Sequence, residues 1–477
     1  MVFTSLNFLL FFPFVALLFY ITPIRWRWTV LLAASFFFYI NVKPVYAVLL
    51  AGVILSTYFF TRLIGSTVNE SRRQFYMIFN IVIVLLPLGF FKYFAVINNS
   101  LVFFLVDIGL HWPLPEIQYM LPVGISFYTF MAIGYTIDVY NEDMAVERNP
   151  GLLALFISFF PLILSGPIER AGNMLPQFRN PTSLNYSNIS AGLKMMLWGY
   201  FMKLVVADRI GIYVDVVYGN IAGNNGSSLL IASILYPVQV YADLGGYSLI
   251  AIGVSRVMGL RVMQNFHRPF FSTSMAEFWR RWHMSLISWL TDYVYTPLSF
   301  SLRKYRIWGI VIALMLTFLI SGIWHGAAMT FVIWGLLQGT FLSIEALTNH
   351  KRVNLERRFG LRNSRVYLMI CMGLTFVLFA VSQVFARVSG VDEAMMVFRK
   401  IITAQGSPYL DLTTLAYSGM GMLILFLRDF NDEYGCRLFS LFKNSSIINR
   451  IAYSILFYSI LLIGVFGNND SFIYFRF

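Results

Sequence analysis

The stretch FWRRWHMSLISWLTDYVYTPL (residues 278–298) is followed, after a short basic segment, by an apolar run that contains SGIWHGAAMT (321–330). Two of the five histidines lie here, His283 beside charged residues and His325 within apolar sequence. An ionisable residue in a membrane span is costly to bury and is therefore interpreted first as functional. The chain is organised around this region, and its two histidines are the first candidates for chemistry.

The composition indicates a protein that crosses a membrane several times. Of 477 residues, 58% are hydrophobic and 12% are charged, about half the charged share of roughly 25% in soluble domains. Several apolar runs approach or reach the roughly 20 residues that span a bilayer. We therefore predict an all-α polytopic membrane protein, with roughly 10–14 transmembrane or re-entrant helices in a single domain over residues 1–477.

The formal net charge of +13 comes from short basic clusters between apolar runs. Four examples are Arg25/Arg27, Arg72/Arg73, Arg303/Lys304/Arg306 and Lys351/Arg352/Arg357/Arg358. Such clusters are typical of cytoplasmic loops, so membrane lipids are predicted partners and nucleic acid is not. Basic residues after the first apolar segment and before the last place both termini outside the cytoplasm, which requires an even number of spans.

Five apolar residues of the first stretch recur at helical spacing: Trp279, Trp282, Leu286, Trp289 and Leu290. This spacing predicts one helix lying in the membrane interface, with Arg280 and Arg281 directed toward headgroups or an anionic ligand. His283 falls on this helix, one turn after Trp279. The presence of His283 here is explained about equally well by a functional histidine and by one that only forms a structural hydrogen bond.

His325 has a different setting, because small residues surround it in sequence: Ser321, Gly322, Gly326, Ala327 and Ala328. They allow a backbone or a slender substrate to approach closely. A neutral imidazole in a desolvated site could take a proton from a hydroxyl that attacks a thioester carbonyl. The alternative is a histidine that packs between helices and bonds to a backbone carbonyl.

Asp243 lies in the apolar segment VYADLGGYSLIAIG (240–253). It could orient a histidine or bind a cation, or it could pair with a nearby arginine for folding, as buried carboxylates commonly do. Four residues downstream could hold the phosphates of a donor or form a solvated loop: Arg256, Arg261, Asn265 and His267. The sequence has no HxxxD box at either candidate histidine, no GxSxG motif and no zinc-ligand spacing, so no metal is predicted.

Five segments, in this order, resemble the membrane-bound O-acyltransferase (MBOAT) superfamily, and in particular its bacterial alginate and peptidoglycan O-acetyltransferases. They are LPVGISFYTFMAIGYTIDVY (121–140), SGPIERAGNMLPQF (165–178), VYADLGGYSLIAIG (240–253), NFHRPFFSTSMAEFWRRWHMSLISWLTDYVYTPL (265–298) and SGIWHGAAMTFVIWGLLQG (321–339). The resemblance itself runs over nearly the whole chain. One departure is that the family commonly has DFSGYS where this chain has DLGGYS (243–248), so no hydroxyl is available at Gly245.

The resemblance implies the MBOAT fold, in which helices surround a catalytic tunnel. His325 of the WHG motif corresponds to the active-site histidine, and His283 corresponds to a second histidine near the cytoplasmic mouth. Six residues are implied as donor-binding or tunnel-lining candidates: Trp279, Arg280, Arg281, Trp282, Asp243 and Trp324. The implied donor substrate is acetyl-CoA or another acyl thioester, with no tightly bound cofactor.

The resemblance also concerns the C-terminal tail, residues 468–477, which ends in FIYFRF. The tail resembles the aromatic C-terminal motif of relatives that work with a separate extracytoplasmic transferase of the SGNH/GDSL type. In the related D-alanylation system, a small partner ends in a similar motif whose tyrosine is proposed to carry the acyl group. Tyr474 corresponds to that acyl carrier, while an aromatic anchor at the interface is the alternative.

The implied function is O-acylation, most simply O-acetylation, of an extracytoplasmic polysaccharide by an enzyme of the bacterial cytoplasmic (inner) membrane. Transfer of D-alanine to teichoic acid is a second possibility. A transporter for a glycan or lipid-linked glycan, with the histidines in a proton relay, is a third from a different class.

Overall fold

The computed structural model describes residues 1–41, 43–108, 122–409, 411–435 and 446–466. Within these ranges every regular element is helical. The α-helices are α1 Leu6–Ile21, α2 Arg27–Ile40, α3 Pro44–Ser66, α4 Glu70–Asp107, α5 Ile125–Tyr140, α6 Pro150–Ser158, α7 Phe160–Ile163, α8 Ala171–Arg179, α9 Tyr186–Tyr200, α10 Asp208–Tyr218, α11 Gly226–Val257, α12 Met275–Arg281, α13 Met284–Leu290, α14 Thr296–Ser301, α15 Ile307–His325, α16 Met329–Arg358, α17 Arg365–Arg387, α18 Val391–Thr403, α19 Leu412–Tyr434 and α20 Ser446–Ile463.

Seven helical segments in the described ranges are long and apolar enough to cross a membrane. They are 44–66, 70–94, 186–218, 226–257, 307–325, 329–358 and 365–387. Three shorter apolar helical segments accompany them, at Leu6–Ile21, Pro150–Ile163 and Arg450–Ile463. The prediction of an all-α, multi-pass membrane protein is confirmed, and the long and short segments together reach the lower end of the predicted number.

The chain forms two compact units. The first contains residues 1–193 and 251–263, and the second contains residues 194–250 and the chain from 264 onward. The backbone passes from one unit to the other within α9, within α11 and after Met263. Whether residues 1–477 act as a single domain therefore stays a prediction.

Polar side chains connect three apolar helices of the first unit. Asn80 of α4 is fully buried; it accepts a hydrogen bond from Ser56 Oγ of α3 at 2.7 Å and donates one to Thr136 Oγ1 of α5 at 2.8 Å. Between membrane helices no water is available to these polar groups, so they bond to each other. The bonds fix which faces of the apolar helices meet. In the same unit Glu169, from the segment SGPIER, is buried and accepts hydrogen bonds from Asn173 and from the backbone of Met263.

The second unit is built around an antiparallel pair of helices. The helices α15 and α16 pack against each other along their lengths and are joined by Gly326–Ala328. The helix α17 and the short helix α12 also pack against α16. All the site residues described below, except where stated, belong to this unit.

Candidate functional site

His325 occupies the tip of the α15–α16 pair. The 19 residues of α15 extend about 28 Å from the basic cluster Arg303/Lys304/Arg306 to His325, the last helical residue. The helix α16 begins at Met329 and returns to the cluster Lys351/Arg352/Arg357/Arg358. Both basic clusters therefore lie at one end of the pair, and His325 lies at the other.

Glycines allow the two helices to approach closely beneath this tip. A Cβ atom on Gly322 of α15 would lie 2.4 Å from the carbonyl oxygen of Phe331, and one on Gly335 of α16 would lie 2.4 Å from that of Phe318. A Cβ atom on Gly326 would meet the ring of Phe331. The small residues next to His325 thus bring backbones together, as the sequence predicts.

Replacement of Gly322 by alanine is expected to destabilise the protein by about 1–3 kcal/mol, because the clash is with backbone and cannot be relieved by rotating a side chain. Thermal unfolding in detergent would measure the change. Gly373→Ala is the matched control, since Gly373 also lies in an apolar helix but a Cβ there meets nothing within 4 Å. Equal unfolding temperatures for the two variants would contradict the close crossing.

The His325 imidazole lies between two indoles. Its ring centroid is 4.6 Å from that of Trp324 and 4.9 Å from that of Trp334, both in edge-to-face geometry. The histidine is partly buried, and Trp324 and Trp334 are buried. Because His325 ends α15, the negative end of the helix dipole stabilises the positive charge that the ring gains when it takes a proton.

The prediction of one continuous interfacial helix through FWRRWH is wrong. The helix α12 ends at Arg281, His283 has left-handed backbone angles (φ 44°, ψ 49°), and α13 begins at Met284. The break arises because the N–H groups of Met284 and Ser285 donate to the backbone and side-chain oxygens of Asn265.

The apolar residues of this segment are buried in protein. Trp279, Trp282 and Trp289 are each at most 6% exposed. The ring centroid of Trp282 lies 4.8 Å from that of Phe379 on α17. The segment is therefore part of the core of its unit, and the periodic spacing reflects burial on two short helices.

Asn265 holds the second histidine in one orientation. Its Oδ1 accepts hydrogen bonds from Ser285 Oγ at 2.9 Å and from His283 Nδ1 at 3.1 Å, and its Nδ2 donates to Ser248 Oγ at 2.9 Å. Because an amide oxygen can only accept, Nδ1 of His283 carries the hydrogen, and Nε2 is the ring nitrogen whose lone pair can accept a proton or a hydrogen bond. Burial lowers the pKa of His283 to about 3, so the ring is neutral at physiological pH.

Burial of His283 makes stability depend on pH. Between pH 6.5, its ordinary pKa, and about 3, the unfolded chain binds a proton that the folded chain does not. Stability is therefore complete above pH 6.5 and is lost as pH falls, by about 2 kcal/mol at pH 5. Between pH 7 and pH 5, the free energy of unfolding should fall less for His283→Gln than for the wild-type protein. His267, whose pKa is lowered by burial and Arg268, titrates in both proteins and so does not contribute to the difference between them. An equal loss of stability with falling pH in the two proteins would contradict the prediction.

Two cavities meet near His325. The narrow cavity, about 40 Å³, is lined by both histidines and by Trp279, Trp282 and Trp334. The outer cavity, about 340 Å³, is lined by Gly326–Ala328, which directly follow His325, and by polar residues of α10, α11 and α17. Tyr236, Phe331 and Ala386 line both. The structure thus brings His283 and His325 to one cavity and gives that cavity a larger neighbour.

Of the predicted lining residues, Trp279, Trp282 and the two histidines face the narrow cavity, whereas Asp243 is not among its lining residues. Val240 and Leu244 of α11 line the cavity. Asp243 instead forms a buried ion pair, its Oδ1 lying 2.6 Å from Lys203 Nζ. The pairing predicted for folding is present, with lysine in place of the expected arginine.

The two arginines of FWRRWH have different surroundings. Arg280 is exposed, whereas Arg281 forms ion pairs with Glu277 at 2.7 Å and with Glu433 at 3.0 Å. Arg268 also contacts Glu433, at 3.1 Å. Arg281 therefore participates in a carboxylate network.

The remaining predicted residues are distributed as follows. Arg256 and Arg261 belong to the first unit, and Asn265 and His267 belong to the second. Tyr474 and the tail 468–477 lie outside the described residues. Among the described residues no group of three or more histidine, cysteine, aspartate or glutamate side chains could hold a metal ion.

The sequence shows similarity to proteins of known family. The sequence model of the MBOAT, membrane-bound O-acyltransferase family, matches residues 148–383, a range that includes both histidines. The chain is 36% identical to the probable alginate O-acetylase AlgI of Pseudomonas putida, over 74% of this chain and 73% of that protein. It is 31% identical to the peptidoglycan O-acetyltransferase of Helicobacter pylori, over 80% and 74%. The teichoic acid D-alanyltransferase of Bacillus subtilis is 30% identical over 46% of this chain and 58% of that protein.

Proposed function

Because the chain belongs to the membrane-bound O-acyltransferase family, we propose that it moves an acetyl group from a cytoplasmic thioester to hydroxyl groups of an extracytoplasmic polysaccharide. The observation that carries this proposal is the position of His325, at a helix-pair tip where a narrow cavity meets a larger one. The narrow cavity can take the acetyl end of a donor beside the imidazole, and the larger cavity can take the group that accepts it.

The basic clusters support a direction of transfer from the cytoplasm outward. Arg303, Lys304 and Arg306 lie at the end of the helix pair opposite His325, and basic residues favour the cytoplasmic side. On this assignment His325 lies toward the outer side, both termini are extracytoplasmic, and the membrane is the bacterial cytoplasmic membrane. Acetyl-CoA is the proposed donor, approaching from the side of His283.

The proposed step is one proton transfer coupled to one displacement. The acceptor hydroxyl gives its proton to His325, its oxygen bonds to the thioester carbonyl carbon, and the carbon–sulfur bond breaks. The protonated imidazole then returns the proton to the departing thiolate, so that an ester and a free thiol are formed. Holding both reactants beside one imidazole makes the attack effectively unimolecular, which lowers the barrier by several kcal/mol.

Acetyl transfer is favoured over D-alanyl transfer because the similarity to the two O-acetylating relatives covers about three quarters of this chain, against 46% for the D-alanyltransferase. A separate extracytoplasmic SGNH/GDSL-type transferase is the proposed partner that completes delivery to the polymer. If this partner takes part, polymer acetylation requires a second protein, whereas consumption of the thioester does not. Measuring both reactions with and without the second protein tests this.

The function is tested by measuring ester-linked acetate released by mild base from envelope polysaccharides. Cells that lack the protein are compared with cells in which the full chain is restored. We expect acetate to return with the chain, and the fraction that gains it identifies the polymer. If ester-linked D-alanine returns instead of acetate, the transferred acyl group is D-alanine. Restored glycan flipping without any new ester would favour the transporter.

A further inference from the structure

The attack on the thioester places negative charge on the carbonyl oxygen of the acetyl group. When the acceptor hydroxyl bonds to the carbonyl carbon, the second electron pair of the C=O bond moves to that oxygen, and it returns when the carbon–sulfur bond breaks. A hydrogen-bond donor fixed at this oxygen stabilises the transition state more than the bound thioester. On the proposed function the acetyl end lies in the narrow cavity beside His325, so the donor has to come from the wall of that cavity.

One indole N–H in this wall has no acceptor. Trp334 of α16 lines the narrow cavity and is 4% exposed, and its Nε1 is buried without a hydrogen-bond partner among the described residues. Its ring packs edge-to-face on that of His325, with the ring centroids 4.9 Å apart. An indole nitrogen can only donate, and buried donors are nearly always paired in folded proteins. An unused donor therefore lies next to the proposed base.

Two other donors of the wall are already engaged. Trp279 Nε1 donates to Gln338 Oε1 at 3.2 Å. The Nδ1–H group of His283 donates as described above, which leaves Nε2 of that ring with a lone pair and no hydrogen. Three further residues of the wall carry groups that can donate, and the experiment below includes them: Tyr236, Trp282 and Gln383.

The structure holds Trp334 rigidly. Gly335, the next residue, lies at the crossing with α15, where a Cβ atom would clash with a backbone carbonyl oxygen. The ring of Trp334 meets that of Trp279 edge-to-face at a centroid distance of 6.0 Å. Trp279 is fixed in turn, because Gln338 accepts its N–H and donates to Ser382 Oγ of α17 at 2.6 Å. A donor held in this way needs no reorganisation when the charge develops.

We propose that Trp334 is a catalytic residue, whose Nε1–H donates a hydrogen bond to the thioester carbonyl oxygen while His325 takes the proton of the attacking hydroxyl. This inference rests on the proposed function and adds to it the group that stabilises the oxyanion. The indole proton is not transferred and remains on its nitrogen throughout. Because the donor acts on the thioester, its role is the same whichever hydroxyl accepts the acetyl group and whether or not a second protein completes the delivery.

The test removes the indole N–H without changing the shape of the side chain. Trp334→benzothienylalanine, introduced by stop-codon suppression, has sulfur in place of the N–H group. We expect the purified full chain in lipid nanodiscs to release thiol from acetyl-CoA with kcat lowered about 10²–10³-fold and KM unchanged, since the bond is strongest in the transition state. The same replacement at Trp308, which is 61% exposed on α15, is the matched control and should keep the wild-type kcat.

A second substrate separates this role from a packing defect. In the dithioester analogue of acetyl-CoA, sulfur replaces the carbonyl oxygen and accepts hydrogen bonds more weakly. The wild type should prefer the thioester, and Trp334→benzothienylalanine should lose most of that preference. A defect in packing would instead slow the reaction of both substrates equally.

The inference is overturned if Trp334→benzothienylalanine keeps the wild-type kcat, or if its kcat falls while the preference for the thioester stays. It is also overturned if that variant keeps the preference and one of three others loses it: Tyr236→Phe, Trp282→benzothienylalanine or Gln383→Met. If the wild type shows no thiol release that depends on His325, the proposed function itself fails. Thiol release that depends on His325, together with an unaffected Trp334 variant, rejects the indole donor alone.

Discussion

Replacement of His325 by alanine is expected to lower the rate of acyl transfer by about 10²–10⁴-fold, the usual contribution of a general base. The imidazole lies between Trp324 and Trp334 at the end of α15. Removing it takes away the proton acceptor for the attacking hydroxyl and the group that reprotonates the thiolate. The measurement is thiol release from acetyl-CoA by the purified protein, with and without an acceptor.

The matched control for this variant is His350→Ala. His350 is an exposed histidine at the other end of the pair, on α16, where it contacts Asn354. We expect it to retain the wild-type rate, and we expect both variants to unfold at the wild-type temperature. A His325→Ala protein that folds normally and transfers acyl groups at the wild-type rate would remove His325 from the mechanism.

The close helix packing around His325 could be predicted from the sequence because the signal is local. Small residues on both sides of an ionisable residue in an apolar run indicate that two backbones can approach closely. The structure has this arrangement, with Gly322 and Gly335 at the crossing. The apolar spans likewise could be predicted, because hydropathy depends on composition alone.

The environment of His283 could not be predicted, because tertiary contacts override the local pattern. The residues around FWRRWH have helical spacing, but Asn265 captures the N–H of Ser285 and the backbone turns at His283. Nothing in the spacing shows that an amide 18 residues upstream will take this role. The sequence predicts for Asn265 only a place in a phosphate-binding or solvated loop.

The polar residues that line the outer cavity, Gln239 and the ion-paired Asp215 and Arg387, could not be predicted for a related reason. Each residue comes from a different helix, α10, α11 or α17, and their common cavity exists only in the folded unit. The available signal is a glutamine in the apolar run around YPVQVYADL. A buried amide of that kind requires a partner, and the sequence does not identify which one.

Replacement of Lys203 by methionine is expected to destabilise the protein by about 3–5 kcal/mol, the usual cost of breaking a buried ion pair. Lys203 is 1% exposed, and its Nζ lies 2.6 Å from Asp243 and 2.8 Å from Asp208. It lies in the π-helical segment Phe201–Ala207, between α9 and α10. Methionine preserves the volume of the side chain but leaves two carboxylates buried without their cation.

The loss is expected to extend to activity. Asp243 lies on α11 between Val240 and Leu244, both of which line the narrow cavity. Lys203 therefore fixes the part of α11 that forms one wall of the site. Unfolding in increasing concentrations of denaturing detergent would measure stability, and thiol release would measure activity.

Two further variants separate the charge effect from loss of packing. Adding Asp208→Asn and Asp243→Asn to Lys203→Met removes the uncompensated charges and should recover most of the lost stability. Arg352→Met is the control for an exposed pair, since Arg352 is 37% exposed and lies 3.5 Å or more from its carboxylate partners; its cost should be about 0–1 kcal/mol. If Lys203→Met is no less stable than Arg352→Met, the buried triad does not hold α11 in place.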